Sequence, residues 1–154
     1  MHHLATTKTN LRSFRKDLRA LEREVGFSMA SDTGCCGITL AQCHLLLEVE
    51  QRRRTNVTEL AGALELDKST LSRTVDAMCR AGLLCREIDP ASRRQQIISL
   101  ADQGGAKADS INTTCDGTYR RLFDFIPARK RAAVVESIGI LAGAMRQMRN
   151  TPEA

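Results

Sequence analysis

Aromatic side chains and long apolar runs are scarce in this sequence. Aromatic residues make up only 3% of its 154 residues, and tryptophan does not occur. Proteins that bind single-stranded nucleic acid stack the bases on aromatic side chains, so this composition argues against that class. Crossing a bilayer takes an apolar run of about 20 residues, and no run here approaches that length. We therefore expect a soluble protein with no membrane partner.

An export signal is missing as well. Met1-His2-His3 leads into neither an apolar core nor a small-residue cleavage site, so we expect a cytoplasmic protein. In that compartment the six cysteines are expected to be reduced thiols rather than disulfides. The net charge of +5 favours a polyanionic partner, and the shortage of aromatic residues favours double-stranded DNA over single strands.

Catalytic motifs are also lacking. The chain has no Ser-His-Asp arrangement, nucleotide-binding loop or paired-carboxylate motif, and nothing in it requires a cofactor. Cys115 and Arg121 have the C-x5-R spacing of phosphatases and arsenate reductases, but the residues between them are predicted to be helical instead of forming a phosphate cradle. We therefore expect no enzyme. The competing class is a small thiol reductase that uses Cys35 and Cys36.

The sequence does contain helical periodicity near both ends. Apolar residues recur three or four positions apart, a spacing that packs one long helix against another. We therefore expect residues 10–33 and 105–150 to form the dimerisation region of a homodimer. Its predicted core includes Leu18, Leu21, Ile138 and Leu141.

Two short helices in the middle of the chain each follow a capping residue. Asn56 precedes one helix and Asp67 the next, much as Thr39 and Gln42 form a capping box before an earlier helix. The tight turn between the two helices makes them a helix-turn-helix, whose second helix can lie in the major groove of DNA. Arg73 has the planar fork that reads guanine, and short hydroxyl side chains allow close approach. The residues of this helix that we expect to contact DNA are Lys68, Ser69, Thr70, Ser72 and Arg73.

A β-hairpin is predicted directly after this second helix. Two short segments with β-branched content flank a polar stretch, which predicts a hairpin with Arg93 and Arg94 at its tip. An arginine there can enter the narrow, electronegative minor groove, so both arginines join the expected DNA contacts. The predicted fold class is mainly α with a small β-hairpin wing, and residues 38–104 form the winged helix-turn-helix of a single domain, 1–154. The predicted strands are 83–88 and 96–100.

Five segments of the chain carry a family pattern. They are Ile38-Thr39-Leu40-Ala41-Gln42, Val57-Thr58-Glu59-Leu60-Ala61, Asp67 through Asp76, Ala81-Gly82-Leu83-Leu84 and Asp89 through Leu100. Together they resemble the MarR family of transcriptional regulators. The resemblance implies a homodimer with interlocked terminal helices, two winged domains on a near-palindromic operator, and an effector site near the hinge. It also implies that Arg93 reaches DNA and that Arg94 braces the wing.

The wing departs from the pattern of this family. Where the family has D-x-R-D-x-R, this chain keeps Asp89 and Arg94 but has Ala91 and Ser92, so we expect fewer ion pairs within the wing. Ala101 stands where family members usually have a threonine cap for the next helix, so that cap is expected to be missing.

Three cysteines are close together around the start of the second predicted helix. Cys35, Cys36 and Cys43 lie within nine residues, and flanking glycines let the backbone turn the first two thiols toward the third. The dipole at the start of a helix favours the thiolate of Cys43. Three thiolates suit soft ions such as arsenite, antimonite, mercuric or cuprous ion better than magnesium or manganese. We therefore expect a sensor that binds a soft metal or metalloid, or is oxidised, and then releases DNA as a repressor would.

Other uses of the cysteines stay open. Free cysteines also pack as small apolar residues, which is what we expect of Cys79, Cys85 and Cys115. If the cluster at residues 35–43 also only packs, the effector is expected to be an apolar or phenolic small molecule, as the family resemblance implies.

Overall fold

The computed structural model describes residues 8–32 and 37–151. Its elements are α1 (Lys8–Asp32), α2 (Leu40–Arg52), α3 (Val57–Leu64), α4 (Lys68–Arg80), β1 (Leu84–Asp89), β2 (Ser92–Leu100), α5 (Asp102–Asp124), a short 3-10 turn (Ala128–Lys130) and α6 (Arg131–Asn150). The predicted fold class, mainly helical with a small β-hairpin, is confirmed. Among the described residues, no helix is both long and apolar enough to cross a bilayer.

The predicted helix starts are confirmed by their capping bonds. The Thr39 hydroxyl accepts from the Gln42 amide at 3.2 Å, and the Gln42 side chain accepts from the Thr39 amide at 2.9 Å. Asn56 accepts from the amide of Glu59 at 2.9 Å, at the start of α3. These side chains satisfy backbone donors that a helix start leaves without partners, which fixes where each helix begins.

The chain forms two compact units, Met1–Ala108 and Asp109–Ala154. In the first unit α2 packs on α3 and β2, and α4 packs on α3 and β1. On α2 the apolar residue Leu40 is 39% exposed, whereas Leu45 is fully buried in the core. The core of this unit is built from Leu45, Leu46, Val49, Leu60, Leu71, Val75, Met78 and Ile98.

The hairpin differs from its prediction in register. β2 begins at Ser92 rather than at Gln96, so the turn is shorter than expected and the two arginines lie on the strand instead of at the tip. Asp89 pairs with Ser92, whereas Ile88 pairs with Gln96. Residues 93–95 therefore have no partner on β1 and form a bulge, a feature that bends a strand and redirects its side chains.

Apolar side chains are exposed on the helices that we predicted to form a dimer. In the first unit, α1 exposes Leu11, Phe14, Leu21, Val25 and Phe27. In the second unit, α5 and α6 lie on either side of Pro127, and the Arg131 side chain donates to the carbonyl of Ile126 at 3.1 Å. This unit exposes Tyr119, Leu122, Phe125, Val135, Ile138, Ile140, Met145 and Met148. Contiguous exposed apolar surface is typical of protein–protein interfaces.

Candidate nucleic-acid interface

The N-terminal turn of α4 is held by one carboxylate. Asp67 accepts from the Ser69 hydroxyl at 2.6 Å and from the Thr70 amide at 2.8 Å, which confirms it as the predicted cap. The hydrogen bonds from Ser69, and then from Thr70, hold the pKa of Asp67 well below its usual range. The start of α4 is therefore a rigid, charge-stabilised turn at neutral pH.

The two faces of α4 differ sharply in exposure. Its apolar face is buried, whereas Lys68, Ser69 and Arg73 are exposed and Thr70 and Ser72 are half-buried. The guanidinium of Arg73 donates to the Thr70 hydroxyl over 3.4 Å, at the long limit of a hydrogen bond. All five predicted DNA-contacting residues of this helix thus lie on its first turns, off the buried face, as a helix that reads bases requires.

The bulge on β2 presents the hairpin arginines. Arg93 and Arg94 are both exposed, and neither forms an ion pair with a residue that the structure describes. Asp89 instead accepts from the Ala91 amide at 2.9 Å and so shapes the turn. The wing therefore holds its conformation through backbone bonds, which leaves both guanidinium groups available to a ligand.

The junction of α4 with β1 contains charged residues that the sequence did not single out. Arg86 on β1 pairs with Asp76 on α4 at 2.7 Å, and its Nε and Nη2 atoms are buried without a partner among the described residues. An open groove of about 580 Å³ lies over this pair, lined by Arg73, Asp76, Cys79, Arg80 and Arg86. In the sequence, Asp76 could have indicated this charged site, because an acid three residues after Arg73 lies on the same helix face. Three arginines against one carboxylate give this groove a preference for anions.

The predicted metal cluster lies largely outside the described residues. Cys35 and Cys36 fall outside them, and Cys43 is half-buried near the start of α2. Within residues 8–32 and 37–151, no group of three His, Cys, Asp or Glu side chains is placed to hold a metal ion. Because two of the three cysteines are not described, the trithiolate site stays a prediction.

The other cysteines have three different settings. Cys79 is half-buried, and burial raises the pKa of its thiol although nearby Arg86 opposes the shift. We predicted that Cys85 would pack inward, but it is exposed, because strand alternation turns its neighbour Leu84 into the core. Cys115 and Arg121 both lie within α5, so their C-x5-R spacing forms no strand-to-helix phosphate loop.

Comparison with known proteins relates this arrangement to one family. Residues 38–95, which contain the helix-turn-helix and most of the hairpin, match the model of the MarR family. A search of curated protein sequences finds no match to the chain. The family match thus rests on the segment that holds the predicted DNA contacts.

Solved structures share the fold along nearly the whole chain. FabT of Streptococcus pneumoniae, solved in complex with DNA, has a TM-score of 0.78 at 12% identity, covering 90% of this chain and 99% of its own. AbsC of Streptomyces coelicolor, a MarR family transcriptional regulator, has a TM-score of 0.73 at 22% identity, covering 92% and 97%. YusO of Bacillus subtilis has a TM-score of 0.68 at 22% identity, covering 90% and 99%. The MarR family model thus matches the helix-turn-helix and most of the hairpin, and the solved structures share the fold from α1 to α6, so this chain is similar to the MarR family.

Proposed function

We propose that this protein is a sequence-specific repressor that binds a palindromic DNA operator as a homodimer. The observation that carries the proposal is the exposed polar start of α4 beside the arginine bulge of β2. In this proposal α4 reads base edges in the major groove, and Arg93 and Arg94 enter the adjacent minor groove. FabT, which shares the fold, was solved with DNA, and this supports the same use of the fold here.

The homodimer is proposed from the apolar surfaces of the terminal helices. The side chain of Phe125 is 87% exposed in the single chain, and Ile138, from the predicted dimer core, is 49% exposed. Burying such side chains contributes about 1.5 to 3 kcal/mol each, so a second copy that covers them would be held firmly. Two copies related by a twofold axis present two α4 helices, which requires half-sites about one helical turn apart.

Selection of duplexes from a random pool tests the DNA proposal. The wild-type protein should enrich a palindrome. Arg73→Ala should lose about 1 to 3 kcal/mol of affinity with relaxed base preference, because it removes a bidentate base contact. Arg93→Ala should instead lower the salt dependence and the preference for A·T-rich flanks. Arg129→Ala, an exposed arginine in the 3-10 turn, is the control. Wild-type binding by both test variants, or reductase turnover with no shift of any duplex, would refute the proposal.

We further propose that Cys35, Cys36 and Cys43 sense a soft metal, a metalloid or an oxidant. The support is Cys43, a half-buried thiol at the first turns of α2, within reach in sequence of the adjacent pair. Adjacent cysteines bond each other only with strain, so an oxidised form should join one of them to Cys43 or to the partner subunit. Release requires the occupied site to favour a dimer with the wrong half-site spacing by several kcal/mol.

Titration of the protein–operator complex tests the sensor. Arsenite, antimonite, cuprous ion, mercuric ion and peroxide are added separately to the wild-type protein, Cys36→Ser and Cys43→Ser. Cys115→Ser, which changes a half-buried thiol in another part of the chain, is the control. The proposal expects release by one agent in the wild-type and control proteins only. An equal response in all four proteins would eliminate it.

The groove at the α4–β1 junction favours a second class of signal. A phenolic or carboxylate molecule bound in this groove, against the part of the Arg86 side chain that lines it, would lie against the helix that is proposed to read DNA. It would then compete with the operator. Benzoate should release operator from the wild-type protein but not from Arg86→Gln, whereas the cysteine variants should respond as the wild-type protein does.

A further inference from the structure

The turn between α2 and α3 contains three consecutive arginines in a rare conformation. Arg53 has φ 65° and ψ −50°, and the amide of Arg54 donates to the carbonyl of Arg52 at 2.8 Å. Together these define a γ-turn of the strained kind that non-glycine residues seldom adopt. We call residues 52–54 the arginine turn.

Strong contacts on both sides hold the arginine turn in place. The Arg53 amide donates to Val49 at 2.8 Å and so ends α2. Thr55 is buried and exchanges two backbone hydrogen bonds with Ile98 on β2, at 3.1 and 2.7 Å. Its hydroxyl also donates to Glu59 at 2.8 Å. The turn is therefore fixed between α2 and the hairpin, and strain of this kind persists only where the surroundings impose it.

The arginines in this turn differ in their partners. Arg52 is paired with Glu48 at 2.6 Å, whereas Arg53 and Arg54 are exposed and form no ion pair with a residue that the structure describes. Two arginines are thus held side by side on a rigid backbone, with their charges directed to solvent. Water and salt screen the repulsion between these exposed like charges, and a bound anion would offset what remains of it.

The arginine turn adjoins the hairpin. Arg54 shares a cleft of about 130 Å³ with Asn56, Glu59, Asp89, Gln95 and Gln96. The two carboxylates of this cleft accept hydrogen bonds from the Thr55 hydroxyl and the Ala91 amide, and neither is within ion-pair distance of Arg54. Arg54 therefore lies beside the bulge that presents the hairpin arginines, on the first unit that also carries α4.

We propose that Arg53 and Arg54 bind backbone phosphates of the duplex next to the hairpin, as a third DNA contact of the protein. The inference rests on the proposed DNA-binding function and extends it to residues outside the helix-turn-helix and the wing. A guanidinium binds phosphate oxygens strongly but carries no base information when it does so. The arginine turn therefore adds affinity and fixes the position of the duplex, and base choice is left to α4.

Salt dependence of binding tests this contact, because each phosphate neutralised contributes about 0.9 to the slope of log K against log salt. The full-length double variant Arg53→Gln/Arg54→Gln is titrated between about 50 and 200 mM salt. The probes are the duplex selected by the wild-type protein and a pool of random-sequence duplexes. Arg129→Gln/Lys130→Gln in the 3-10 turn removes the same charge and is the matched control. Arg53→Lys/Arg54→Lys retains the charge.

Because the proposed homodimer carries two arginine turns, the glutamine variant removes four contacts and should reduce the slope by about 3.6 on both probes, with the ratio of the two affinities unchanged. The control and the lysine variant should keep the wild-type slope. If the double variant fails to fold by circular dichroism, Arg53→Gly and Arg54→Gln are measured singly, with about 1.8 expected from each because the dimer loses two contacts. An unchanged slope, or a changed affinity ratio, would overturn the inference. The two proposals can fail separately. If the wild-type protein shows no sequence preference but the glutamine variant still has a reduced salt slope, the proposed function is refuted and the phosphate contact is supported.

Discussion

Replacing Gly104 with alanine should destabilise the protein, whereas the same change at the adjacent Gly105 should stabilise it. Gly104 is buried in the first turns of α5, where the Ala101 amide donates to the Leu83 carbonyl at 3.1 Å. A Cβ at residue 104 would lie 2.8 Å from the carbonyl carbon of Leu83 and closer still to its oxygen. Both atoms belong to the backbone, so no rotamer change can relieve the clash. A Cβ at Gly105 would meet nothing within 4 Å.

The loss of stability in Gly104→Ala can be estimated from the displacement of α5 that the added methyl group requires. α5 has to shift away from the α4–β1 turn, which costs about 1 to 3 kcal/mol as overpacking and weakens a backbone hydrogen bond worth about 1 kcal/mol. Better helix propensity returns about 0.5 to 1 kcal/mol, so Gly104→Ala should lose about 1 to 3 kcal/mol in all. For a chain of this size that is a fall in Tm of about 2 to 12 °C. Gly105→Ala causes no clash, so it should stabilise the protein by the helix-propensity difference of about 0.5 to 1 kcal/mol.

Urea unfolding monitored by circular dichroism measures both effects, at one fixed protein concentration because a dimer's stability depends on it. Equal midpoints for Gly104→Ala and the wild-type protein would show that α5 can move off Leu83 at no cost, and the reasoning would be wrong.

Two further predictions concern the charged groups of α4. Because hydrogen bonding lowers the pKa of Asp67, its ionised cap stabilises the fold above its unfolded pKa of about 3.9, and this contribution is lost as the pH falls below that value. Asp67→Asn keeps an acceptor but should lack this pH dependence, which urea unfolding at about pH 6 and about pH 3 would show. Asp76→Ala should cost about 1 to 3 kcal/mol, because it leaves the Arg86 guanidinium buried with no acid partner. Arg86→Met should cost less, and adding it to Asp76→Ala should recover stability; additive losses in this double-mutant cycle would refute the pairing argument.

Local chemistry made the helix boundaries predictable. Thr39, Asn56 and Asp67 each place a side-chain oxygen where an amide three residues on needs an acceptor, and this requirement depends on nothing outside the segment. The stop after α4 is similar, since Gly82 adopts φ 73°, which glycine tolerates best. These features are local, so they indicate the helix-turn-helix without any knowledge of tertiary contacts.

Three features of the site depend on tertiary contacts and could not be predicted from the sequence. The bulge that presents Arg93 depends on the register between β1 and β2, and a shift of register moves every side chain of a strand. The strain at Arg53 exists because Thr55 bridges to β2, a contact between residues far apart in sequence. The pairing of Arg86 with Asp76 likewise needs β1 to pack on α4. Nothing in the sequence singled out Arg53 or Arg86, and Arg93 was predicted at the hairpin tip rather than on a bulged strand.

The bonds within α4 limit how it can read bases in the proposed complex. The Ser69 hydroxyl donates to the Asp67 carboxylate at 2.6 Å, a short, charge-assisted bond that is costly to break. Its proton is therefore committed, and Ser69 can offer DNA only an acceptor, which suits the amino groups of adenine or cytosine. The bond from Arg73 to Thr70 is long at 3.4 Å, so exchanging it for guanine costs little. The start of α4 thus holds a fixed acceptor and a movable donor. A DNA site that satisfies both must present an amino group to Ser69 while the O6 and N7 of a neighbouring guanine face Arg73.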